Sequence, residues 1–141
     1  MIPQVYAVLD KSVLVAGLRS NREASFHILR SIRARDIRIA VSVALVLEYE
    51  SVILRPGLIS HFTADELRKI VDGLCQLADH QQVFFAWRPF LPDPDDDLVL
   101  ELAVAASAAY VITHNISDFR GSESMGVRAI TPATTLDIIR P

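Results

Sequence analysis

A single cysteine, Cys75, stands in 141 residues, so the chain has neither a disulfide framework nor a CxxC pair to grip a metal through sulfur, and a reducing cytoplasm is its simplest setting. Histidine is sparse too: His27, His61, His80 and His114 are scattered with no ligand-pair spacing, and His114 reads as structural rather than as a ligand. No GxGxxG, GxxxxGK[ST] or GxSxG occurs, which removes dinucleotide binding, P-loop chemistry and the serine hydrolase elbow. The opening "MIPQVYAVLD" has no basic start and breaks off at an aspartate, and no apolar run approaches the roughly 20 residues of a membrane span. Nor is there a Pro/Gly/Ser-rich linker, a low-complexity tract or a repeat, so residues 1–141 read as one soluble domain. With 51% apolar and 22% charged residues, the composition is that of a folded chain, not a disordered one.

What is present alternates. Short runs rich in Val, Ile and aromatics, "VYAVLD" (5–10), "IRIAVS" (37–42), "VFFAW" (83–87), "AYVITH" (109–114) and "VRAIT" (127–131), predict strands, most of them apolar enough to be covered on both faces. Helical periodicity falls between them at about 23–35, 42–55, 63–79 and 96–108, with Ser42 as an N-cap and Thr63 followed by Glu66 as a capping box. Strands alternating with helices predict an α/β fold, a three-layer sandwich around a mainly parallel sheet of about five strands. Such sheets bind ligands beyond the carboxyl ends of their strands, so the residues that follow each strand matter.

Acids follow them. The first strand ends in Asp10, the only acid between two long apolar runs; the second leads into a helix carrying Glu48 and Glu50; the fourth ends in "THNISDF", with Asn115 and Asp118. Before the last of the four helices, "LPDPDDDLVLELA" places Asp93, Asp95, Asp96 and Asp97 within five positions. Each acid has an ordinary explanation. Asp10 could cap the next helix, Glu48 could pair with Arg55 one face along, and the aspartates could complement a helix N-terminus for about 0.3–1 kcal/mol. One cap suffices for a helix, however, and Asp97 with Glu101 forms a like-charge i,i+4 pair, so surplus charge remains. Converging carboxylates without sulfur or paired histidines suit a hard cation, Mg²⁺ or Mn²⁺. Ser12 stands where an aspartyl phosphatase would want a second aspartate. The formal net charge of −3 hides a contrast: six arginines (19, 22, 30, 33, 35 and 38) against Glu23 and Asp36 give +4 locally, while Asp93 to Glu101 carries −5. The arginines form either a solvated face or a grip on phosphates, Arg19 and Arg22 among them.

The segments "VLDKSVLVAGL", "SVALVLEYESVILRP", "DPDDDLVLELA" and "YVITHNISDF" resemble, in that order and at fitting distances, the four acidic motifs of PIN-domain proteins. The resemblance covers nearly the whole chain and is closest to single-domain bacterial members described as toxins of toxin–antitoxin systems. It implies a Mg²⁺- or Mn²⁺-dependent endoribonuclease, with an antitoxin protein as partner and a homodimer as assembly. By position it implies Asp10, Glu48 and Asp96 as catalytic acids and metal ligands, Glu48 also orienting water, and Asp118 as a later acid of the fourth motif. Ser12 and Thr113 match its supporting hydroxyl positions. Two residues depart from the pattern: Lys11 stands where a small or polar residue is usual, and Asn115 where aspartate is common. An alternative stays open on that account, a catalytically weakened PIN fold that binds RNA or a partner; a small-molecule phosphatase is the third reading.

Overall fold

A computed structural model describes residues 5–83 and 90–140. Five strands, β1 (Val5–Leu9), β2 (Ile37–Val41), β3 (Asp79–His80), β4 (Tyr110–Ile112) and β5 (Arg128–Ile130), form one sheet in the order β3-β2-β1-β4-β5. Every neighbouring pair is parallel; Val5 lies opposite Ile37, and Leu9 opposite Ile112. Val8, Leu9, Ile39, Val41, Val111 and Ile112 are all fully buried, which is why these strands read as near-continuous apolar runs. Burying each such side chain contributes about 1.5–3 kcal/mol.

The helices are α1 (Lys11–Arg19), α2 (Ala24–Arg33), α3 (Val43–Ile53), α4 (Ala64–Leu77), α5 (Pro94–Ala105) and α6 (Pro132–Ile139). Helix α2 packs on α1, α6 and β2, whereas α5 lies along β1, β2 and β4. Crossovers between parallel strands are right-handed as a rule, which assigns these two groups to opposite faces and makes the expected three layers. The Ser42 hydroxyl accepts a hydrogen bond from Leu45 N (3.2 Å), and Thr63 and Glu66 exchange both bonds of a capping box.

Two features depart from the expected elements. The third strand is a two-residue bridge at Asp79–His80, where a helix end was expected; Gln81 N continues its ladder to Val41 O (2.9 Å), and Arg38 pairs with Asp79 across the edge. Of the expected strand 83–87, Val83 is not in a strand and residues 84–87 lie outside the described residues. Helices α1 and α6 are not among the four expected from periodicity. Helix α1 carries Gly17 and two β-branched valines and has no side-chain cap, so it lacks the usual local signals.

The strand order reverses next to β1: the chain steps outward through β2 and β3, then returns to place β4 on the other side. A crevice opens at such a switch point because the connections leaving the two neighbouring strands turn to opposite faces.

Candidate functional site

Asp10 stands at that crevice. Its backbone N–H extends the ladder to Ile112 O (3.0 Å), and its backbone occupies the N-cap position of α1 without a side-chain cap bond, so capping does not explain it. Instead its Oδ2 accepts hydrogen bonds from Ser12 Oγ (2.8 Å) and Thr113 Oγ1 (2.7 Å). Both hydroxyls are fixed in turn: Ser12 Oγ accepts from His114 N (3.3 Å), and Thr113 Oγ1 from Asn115 N (3.0 Å). A buried carboxylate is thus oriented by hydroxyls from the element that follows β1 and from the end of β4. Asn115 contributes its backbone N–H; its side chain is exposed and makes no cap bond.

His114 has the structural part expected of it. Its Nε2 bonds the fully buried Ser25 Oγ (2.6 Å), tying the start of α2 to the end of β4. Gly17 permits the close approach of α1 to α2: a Cβ there would lie 2.7 Å from Leu29 Cδ1 and 2.9 Å from Ser25 O.

The four crowded aspartates divide the work. Asp93 caps α5 by accepting from Asp95 N (2.9 Å), with Pro94 in the first turn. Asp97 Oδ1 accepts from Leu91 N (2.9 Å) and Phe90 N (3.3 Å), fastening the incoming chain. Asp95 pairs with Lys11 Nζ at 3.2 Å. Asp96 has none of these fates, and no donor among the described residues bonds its half-buried carboxylate. Burial, and then the charges of Asp10, Asp93 and Asp118, push its pKa up to about 7 against the opposing pull of Lys11.

Glu48 reaches the crevice from α3. The Tyr49 hydroxyl bonds Leu9 O and pins this helix to the end of β1. Its partner is not Arg55 but Lys11, whose Nζ lies 3.6 Å from Glu48 Oε1. That oxygen is buried without a hydrogen bond. Burial raises the Glu48 pKa, Lys11 lowers it, and Asp95 and Asp10 raise it again. Glu50 faces elsewhere, toward Cys75 on α4, whose thiol is pushed up by burial and then by Asp72 and Glu50.

Asp96 therefore feels the charge of Asp10 and Asp118, and Glu48 that of Asp10, but among the described residues no three acid, histidine or cysteine side chains converge tightly enough to hold one ion. Like charges without a cation between them keep apart, and Lys11 draws Glu48 and Asp95 onto itself. Their chemistry fits a hard divalent cation: all donors are oxygens, one buried Glu48 oxygen accepts no hydrogen bond, and the Asp96 carboxylate is destabilised by its neighbours. The sequence marks Lys11 as a departure from the first motif but gives it no partner; Asp95 is 84 positions away, and no local signal could have joined them.

Arg19 and Arg22 lie elsewhere, on a groove of about 1310 Å³ bounded by the ends of α1, α2 and α4. Arg30, Arg33, Arg35, Lys69 and His61 also line it, with Phe26, Leu29, Phe62, Ile70 and Leu74, and no carboxylate does among the described residues.

Fold and crevice together define a class: a parallel α/β protein that gathers carboxylates at the switch point of its sheet, as cation-dependent phosphodiester chemistry requires. The family model described as "PIN domain" matches residues 6–117, and the chain belongs to that family. PIN domains are generally metal-dependent nucleases. Comparison with curated proteins gives no match.

Proposed function

We propose that this protein is a Mg²⁺- or Mn²⁺-dependent endoribonuclease and the toxin of a toxin–antitoxin pair, its single domain spanning residues 1–141. The observation that carries the reading is the juxtaposition of Asp10, oriented by two hydroxyls, with Asp96, held half-buried against three like charges. A bound divalent ion would neutralise that repulsion, activate water and offset charge developing on the phosphate. Asp10 and Asp96 are the primary ligands, Glu48 holds and orients the attacking water, and Asp118 is a fourth, peripheral acid. Ser12 and Thr113 keep Asp10 aimed, with Asn115 in support. The substrate is single-stranded or looped RNA, whose backbone is accessible. Arg19 and Arg22 contact its phosphates.

The antitoxin belongs to the same proposal. The groove combines guanidiniums that form no ion pair among the described residues with an apolar floor, a lining suited to an acidic amphipathic polypeptide segment more than to a bare phosphate chain. Such a segment would cover Arg19 and Arg22 and exclude RNA from them. A homodimer and a cytoplasmic setting complete the proposal; Val43 and Leu47, apolar and exposed one turn apart on α3, support self-association, and no described helix is long and apolar enough to cross a membrane. Light scattering on purified protein tests the dimer.

The direct test is cleavage of a structured RNA in Mn²⁺ and in EDTA. Cleavage in Mn²⁺ alone is expected, and equal cutting in EDTA removes the metal reading. A second reading, a weakened fold that binds without cutting, is favoured by the Lys11 pairs with Glu48 and Asp95. It predicts RNA retention without turnover.

A further inference from the structure

Lys11 is the first residue of α1, directly after Asp10, yet its side chain does not leave the crevice. Its ammonium lies 3.2 Å from Asp95 Oδ2 and 3.6 Å from Glu48 Oε1, two acids supplied by different helices, and it contributes to the electrostatics of Asp10 and Asp96 as well. It is thus a cation in contact with two carboxylates of this crevice and within electrostatic reach of two more.

We propose that Lys11 is the resident counter-cation of the crevice, occupying the ground between Glu48 and Asp95 so that the protein takes one divalent ion, at Asp10 and Asp96, instead of two. The inference rests on reading the crevice as a cation-dependent nuclease centre and adds to it how many ions that centre accepts. Four carboxylates, Asp10, Glu48, Asp95 and Asp96, would match two divalent ions in charge. The ammonium already neutralises part of that demand, and a second divalent ion placed beside it would meet a like charge in a partly buried site, where repulsion is poorly screened. Lys11 also has the advantage of attachment. Tethered to the backbone next to Asp10, it competes at an effective concentration in the millimolar range, comparable with a loosely bound free ion. The Glu48 oxygen nearest to it is buried and accepts no hydrogen bond, so the ammonium is that atom's only cationic neighbour among the described residues. Removing the charge therefore releases Glu48 as a ligand.

Calorimetric Mn²⁺ titration of the full, metal-stripped chain tests this, using wild type, Lys11→Met and Lys11→Arg. Wild type and Lys11→Arg are expected to take one ion per chain. Lys11→Met is expected to take two, or to hold the first at least about tenfold more tightly, with Lys11→Met/Glu48→Gln returning to the wild-type isotherm. If Met is not tolerated at this half-buried position, Lys11→Gln carries the same expectation. Identical isotherms for wild type and the neutral variants overturn the inference, as does a wild type that already binds two ions. The two readings fail separately. Metal isotherms that change as expected in a protein that never cuts RNA remove the nuclease and keep the role of Lys11. Metal-dependent cutting with unchanged isotherms does the reverse, and no binding by any variant removes both.

Discussion

The acidic crevice and the basic groove carry opposite charge, and the chain treats the two charges differently. At the crevice each aspartate of the crowded stretch either has a specific bond or bears a cost: Asp93 caps, Asp95 pairs, Asp97 fastens a loop, and Asp96 is left with its pKa raised to about 7. In the groove, Arg19, Arg22, Arg33 and Arg35 are exposed and form no ion pair among the described residues, and Arg30 only approaches the Phe26 ring at 6.0 Å. Solvated guanidiniums can be crowded at little cost because water screens them. Half-buried carboxylates cannot, so their crowding points to a cation, while the groove speaks only through its shape and lining.

The largest expected effect comes from Asp10→Asn. Asparagine keeps the volume and an oxygen to accept from Ser12 or Thr113, but loses the charge. RNA cleavage is expected to fall by at least about 10²-fold while the circular dichroism spectrum is kept, the loss being of the size seen when a preorganised electrostatic group is removed. Undiminished turnover would show that the crevice is not where RNA is cut.

One step smaller is Thr113→Val. The hydroxyl donates to Asp10 and receives Asn115 N, and valine replaces it at nearly equal size inside a fully buried position. Losing a group that orients a ligand typically costs about 10–100-fold in metal affinity or activity. Wild-type Mn²⁺ affinity in this variant would mean that Ser12 alone suffices to aim Asp10.

These residues also mark how far local pattern reaches. Strands β1, β2, β4 and β5 and helices α2 to α5 announce themselves, because burial on both faces and the caps at Ser42 and Thr63 are written in adjacent residues. A two-residue β3 has no room for a pattern. Helix α6 carries a local signal, Thr131 capping Thr134 N with Pro132 in the first turn, but its β-branched residues mask it. Asp10, Glu48 and Asp96 could be picked out individually as acids placed where the fold gathers strand ends. That Asp95 and Glu48 share Lys11, and that Asp97 secures the backbone at Phe90 and Leu91, depends on tertiary distance alone.

Next in size is a pH effect at Asp96. Below its raised pKa of about 7 an incoming ion must expel a proton, so Mn²⁺ affinity is expected to weaken by about tenfold per pH unit below 7 and to level off above it. The sign for stability is the converse. Because the folded-state pKa lies above the ordinary value of 3.8, this group's contribution in the absence of metal is full below about pH 4 and is lost as pH rises through 7. Asp96→Asn should flatten the stability profile between those limits and also stabilise the metal-free protein at pH 8. A melting profile in EDTA that Asp96→Asn leaves unchanged would remove the carboxylate repulsion from the account.

The smallest effect is expected on the other side of the comparison. Arg22→Gln and Arg33→Gln each remove an exposed charge that has no ion-pair partner among the described residues, so unfolding free energy should change by no more than about 0.5 kcal/mol, and with salt present by less. The double variant thins the positive lining of the groove without touching the apolar floor of Leu29, Ile70 and Leu74. Metal binding at the crevice should be unaltered, since neither arginine enters the electrostatics of Asp96 or Glu48. Binding of an acidic amphipathic peptide, followed by fluorescence anisotropy at low and high salt, should weaken and lose part of its salt dependence. A large drop in melting temperature would instead show that the arginines hold the helices together, making the two charged regions alike in kind; unchanged peptide binding would leave the groove's charge as plain solvation.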